Sequence, residues 1–135
     1  MNSTKISLLY VACALTAQAQ LSVTVLPVKM TGQKAVVLLA ITNGLAESVE
    51  SARAACFLID EQGKMVGQST KWVIGGMKDR PALQPKSDTT FNFVITSSRP
   101  FVTTNLTAQI SFSRLVLEGQ KLGNLKTDVQ IQNGK

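Results

Sequence analysis

The chain has 135 residues and not one is histidine. That removes the side chain whose ordinary pKa lies nearest neutrality, and with it the Ser-His-Asp and Cys-His arrangements and most imidazole-based zinc and copper sites. Acidic residues are scarce as well, eight against fourteen basic ones, and a paired-carboxylate enzyme needs two that converge in a cleft. Glu47, Asp60, Glu61, Asp79, Asp88, Glu118 and Asp128 instead fall in turn-like stretches or beside apolar runs, the places where carboxylates form turns. There is no alternating Asp/Asn series of the calcium-loop kind. Gly75-Gly76 lacks the following lysine–serine pair of a phosphate loop. The four methionines include Met1 and form no copper-binding cluster. The sequence therefore predicts a protein that is not an enzyme and holds no metal or cofactor.

Aromatic residues are few too: one Trp, one Tyr and five Phe. The basic residues are dispersed, and no two adjoin. A nucleic-acid surface calls for a clustered basic face or a recognisable module, so no nucleic-acid partner is expected. The dispersed excess is of the kind that aids solubility and draws a protein weakly to anionic surfaces.

Long hydrophobic runs are missing as well. The most apolar stretch, residues 6–17, is shorter than the roughly 20 residues that cross a bilayer as a helix. It follows a polar start containing Lys5 and closes on Ala17-Gln18-Ala19, with small residues at the −3 and −1 positions. This order of charge, short apolar run and small residues is what signal peptidase recognises. Residues 1–19 therefore read as a signal peptide, with Ala17 and Ala19 as its recognition residues. The expected compartment is periplasmic or extracellular, and no transmembrane segment is expected after cleavage. A lipoprotein would instead be acylated at Cys13, but Tyr10 and the short apolar run before it argue against that. Loss of Lys5 leaves 13 basic and 8 acidic residues, 13 − 8 = +5.

Cysteine is nearly absent, and the leader changes what remains. Cys13 leaves with it, so Cys56 stands alone in Ala54-Ala55-Cys56-Phe57-Leu58. A lone cysteine in apolar company behaves as a small buried hydrophobe, and no disulfide is expected to support the fold.

What the chain does contain is alternation. Strands are predicted over 21–28, 34–42, 52–60, 64–74, 88–97, 104–117 and 125–132. Phe91, Phe93 and Ile95 oppose Asn92 and Thr96, while Leu106, Ala108, Ile110 and Phe112 alternate with Thr107, Gln109, Ser111 and Ser113, the period of half-buried strands. The apolar set then changes phase to Leu115 and Leu117, which predicts a bulge near Ser113-Arg114. Asn43-Gly44 ends one strand, and Asp60-Glu61-Gln62-Gly63 predicts a hairpin turn. Residues 75–85, with Pro81 and Pro85, predict a loop. Residues 44–51 read as a connection or a short helical turn. Seven short strands in residues 20–135 predict a single all-β domain, a two-sheet antiparallel sandwich of immunoglobulin type, with a small barrel as the alternative.

Cys56-Phe57-Leu58-Ile59-Asp60, running through Gly63 into Met65-Val66-Gly67, resembles the strand–turn–strand core of bacterial FxLYD-type immunoglobulin-like domains. Leu83-Gln84-Pro85 and then Thr89-Thr90-Phe91 are similar to that family's leucine–proline step before a Phe-bearing strand. The likeness spans residues 35–117. Cys56 stands where the first aromatic would be, Ile59 in place of the tyrosine, and Lys86 in place of a glycine. The resemblance implies an extracellular accessory or interaction module with no catalytic residues to carry over. A bacterial source would also leave the glycosylation sequon at Asn105 without meaning.

Two surfaces are candidates for binding another envelope or extracellular protein. One comprises Lys71, Trp72, Met77, Lys78 and Arg80, since exposed Trp, Met and Arg are enriched at interfaces. Against it stands a Trp72 packed in the core beside a merely solvated loop. The other is an open sheet edge, unless the lysines along 121–135 guard it. A second function class, small-molecule or glycan binding, would use Trp72 as a stacking platform.

Overall fold

Among the described residues the alternating segments become nine strands: β1 (Leu21–Val25), β2 (Lys29–Thr31), β3 (Lys34–Asn43), β4 (Val49–Ile59), β5 (Met65–Ile74), β6 (Asp88–Thr96), β7 (Thr107–Leu117), β8 (Lys121–Leu122) and β9 (Val129–Asn133). The computed structural model describes residues 19–134. Residues 1–18, which hold Cys13 and Ala17 of the expected signal peptide, lie outside the described residues, and Ala19 is exposed. One sheet is ordered β6-β3-β1-β9, with β2 following β1 along the same edge of β3, and the other is β5-β4-β7-β8. The two pack face to face as a β-sandwich, without closing into a barrel.

Three features differ from the expectation of about seven antiparallel strands. The predicted strand 21–28 breaks at Leu26–Val28, where Pro27 has no N–H to give, and resumes as the short β2. A two-residue β8 also forms after the Glu118–Gln120 turn. The last strand, β9, runs parallel to β1, from Leu21 beside Val129 to Val25 beside Asn133. The helical alternative for 44–51 does not form; those residues bend and then enter β4.

The core follows the period of two. Val23, Val37, Leu39, Cys56, Leu58 and Phe93 are among the side chains buried between the sheets. Burial of each large apolar side chain contributes roughly 1.5–3 kcal/mol. Phe91 and Phe93 meet edge to face at 5.1 Å. In β7 the predicted phase change occurs at Ser113: Arg53 pairs with Arg114 and Ala54 with Phe112, so Ser113 is the extra residue. A matching irregularity in β5 sets Trp72 opposite Arg53 and Ile74 opposite Ala52, leaving Val73 as the extra residue and burying it.

Asn43 is the one fully buried polar side chain among the described residues. Its Nδ2 donates to the Glu47 and Leu83 carbonyls, each at 3.0 Å, and its Oδ1 accepts from Leu45 N–H at 2.9 Å. One amide thus ties the end of β3 to both neighbouring loops. Beside it Lys86, which donates its N–H to the Asn43 carbonyl, has a left-handed φ of 66°.

Candidate functional site

β5 and β6 each pair on one side only, so their free edges face each other across the seam between the sheets. A groove of about 520 Å³ opens there. Lys71, Trp72, Met77 and Arg80 line it, together with Arg53, Thr70, Phe91, Asn92 and Val94. Lys78 is exposed on the loop and takes no part in the lining. The sequence picks therefore gather in one place, apart from Lys78, while Arg53 and Phe91 were missed. Their signal was in the strand pattern: Arg53 alternates with Ala52 and Ala54, so it faces outward, but only the register places it opposite Trp72.

Trp72 is half-buried at the edge rather than packed in the core. Its ring has the Arg53 guanidinium 5.9 Å from its centroid. Gly76 presses its backbone against the same ring, because a Cβ there would stand 2.3 Å from Trp72 Cδ2. Gly75 has equally little room, since its Cβ would stand 1.9 Å from the Glu50 carbonyl oxygen. Both residues have positive φ, 53° and 73°, which glycine adopts without strain. The double glycine therefore turns the chain back onto Trp72 and places Met77, 60% exposed, at the rim. Arg80 completes the wall: its guanidinium donates to the Trp72 carbonyl and lies 4.9 Å from the Phe91 centroid.

No carboxylate lines this groove. Most of the acids are engaged in turns elsewhere. Asp60 accepts from the Gln62 and Lys64 N–H groups, Glu50 from Gly119 N–H and Gln120, Glu118 from Ser48 N–H, Asp128 from Asn124 N–H, and Glu61 from Thr103 and Asn105. Among the described residues no three His, Cys, Asp or Glu side chains stand close enough to share a metal ion.

Across the molecule a second seam is open. Among the described residues the outer side of β7 is paired by β8 at Val116 and Leu117, and the Leu115 carbonyl accepts from Gly123 N–H, which leaves residues 107–114 free. Ile131 shares the inward face of its neighbour Val23, yet it is 39% exposed where Val23 is fully buried. Among the described residues the layer that would cover it has no strand at that position. Lys121 does not lie along this free stretch; it sits on β8 with its Nζ 2.9 Å from Glu47.

Cys56 is a free, buried cysteine, and burial pushes its thiol up to about 11. A nucleophile must be ionised and reachable, and this one is neither at neutral pH. No helix of the described residues is long and apolar enough to cross a membrane. No protein-family model matches the chain, and no curated protein matches it.

Proposed function

We propose that this chain is an exported, immunoglobulin-like, non-enzymatic module that binds another envelope or extracellular protein through the groove between β5 and β6. The observation that carries this reading is the convergence of Trp72, Met77, Arg53, Arg80 and Phe91 on one open seam. These are the residue types enriched at protein interfaces. The leader pattern supports export, and the first strand begins at Leu21, just after the Ala19 cleavage position. The resemblance of residues 35–117 to FxLYD-type domains points the same way. Stacking of a glycan on Trp72 finds less support, because Gly76 and Arg53 already occupy the surroundings of its ring.

The test is quantitative capture from envelope extract of the native source with wild-type protein and with Met77→Asp. Met77 is largely exposed, so the variant should keep its thermal stability while losing a partner that the wild type recovers. Undiminished capture by the variant would move the site away from this groove. Recovery of no specific partner at native abundance would overturn the reading.

A further inference from the structure

We infer that the partner presents an extended acidic segment bearing aliphatic side chains, and that this segment crosses the β5–β6 groove onto the outer face of β6 and β3. This partner chemistry presupposes that the groove is a protein-binding surface. Three observations define the occupant.

The first is a continuous path. Asn92 lines the groove and also a second depression of about 440 Å³, formed with Leu26, Val36 and Leu38 on the outside of the sheet. The register sets Val94 beside Val36 and Asn92 beside Leu38. Val94, 48% exposed, therefore bridges the two depressions. β3 explains why this face is sticky: its run of apolar residues from Ala35 to Ile41 buries Ala35, Val37, Leu39 and Ile41, and the residues between them leave Val36, Leu38 and Ala40 on the outer side, half-covered.

The second is charge. Arg53, Lys71 and Arg80 line the groove and Lys29 the depression, with no carboxylate in either. The ion pair found among the described residues is Lys121–Glu47, which involves none of the four. Such a surface attracts carboxylates and repels lysine-rich partners. A second copy of this chain is a poor occupant, because it brings the same positive excess.

The third is shape. Within the groove the free edges of β5 and β6 suit an extended backbone whose alternate side chains face opposite walls, and from there the path crosses β6 onto the outer face of β3. Carboxylates would meet Arg53 and Lys71, while aliphatic groups would seat on Val36, Leu38 and Val94.

The experiment measures fluorescence anisotropy of a labelled synthetic peptide of alternating Glu and Val, mixed with the whole protein. Versions with Gln or Lys in place of Glu serve as comparisons. The Glu peptide should bind most tightly and weaken as salt is added. Arg53→Glu and Lys71→Glu should each weaken it roughly fivefold, the scale of one partly exposed ion pair. Lys126→Glu, in the turn before β9, should leave it unchanged. Equal affinity for the Glu and Gln peptides, equal effects at Lys71 and Lys126, or no binding of any peptide would each overturn the acidic-segment inference. If Met77→Asp still abolishes capture of the native partner, the groove remains the binding surface and only its proposed chemistry fails. If capture also survives Met77→Asp, the groove reading itself has failed.

Discussion

The Arg80 guanidinium lies 4.9 Å from the centroid of the Phe91 ring. The same group donates to the Trp72 carbonyl, so one side chain fastens the loop after β5 to both strands that border the groove. Replacing it with alanine removes a cation–π contact worth about 0.5–1 kcal/mol and a charge-assisted hydrogen bond of similar or greater worth. Arg80→Ala should therefore cost about 1–2 kcal/mol in denaturant unfolding. It should also speed amide exchange through residues 75–82 while leaving β7 protected.

Gly76→Ala should be more disruptive than its exposed position suggests. The added methyl would enter the Trp72 ring at a residue already held at φ 73°. We expect a loss of about 1–3 kcal/mol from backbone strain alone, together with a shift in the emission of Trp72, the chain's single tryptophan. An unchanged spectrum and an unchanged unfolding midpoint would contradict this packing.

Asn43→Ala should destabilise the whole domain. It strands the Leu45 N–H and takes a donor from two carbonyls, at about 1–3 kcal/mol for each buried group left unsatisfied. Asn43→Asp should do little better, because the carboxylate keeps the acceptor for Leu45 but offers no donor to Glu47 and Leu83. Chemical denaturation of both variants measures this directly.

Cys56 gives a pH dependence with a defined sign. Its folded pKa of about 11 stands above the ordinary 9.0 of the unfolded chain. Below pH 9.0 the thiol is protonated in both states and the stability is fully present. Between the two values the unfolded chain releases its proton first, so stability falls as pH rises. Cys56→Ser should flatten that alkaline limb. In the chain that starts at Gln20, a thiol reagent should modify Cys56 slowly at neutral pH and rapidly once denaturant is added.

The sheets were legible in the sequence because a strand's period of two is a local property. Phe91, Phe93 and Ile95, the Asp60 turn and even the extra residue at Ser113 could be placed without any knowledge of which strands pair. Pairing itself is long-range. Nothing local in residues 129–133 says that they lie parallel to β1, and β2 and β8 are too short to carry a pattern. The site was half legible for the same reason. Lys71, Trp72, Met77 and Arg80 are near one another in the chain, whereas Arg53 and Phe91 reach them only through the register of β4 and the packing of β6. Asn43 read as the end of a strand, and its burial comes from loops around residues 47 and 83.

The most direct test of the binding surface is photo-crosslinking in cells of the native source from a photoreactive residue placed at position 77, compared with one placed at position 109 on the free side of β7. Both wild-type side chains are exposed, so either replacement should fold. If the groove between β5 and β6 binds the partner, position 77 forms a specific adduct and position 109 does not. An adduct from position 109 alone would contradict the account and place the partner on the open edge of β7.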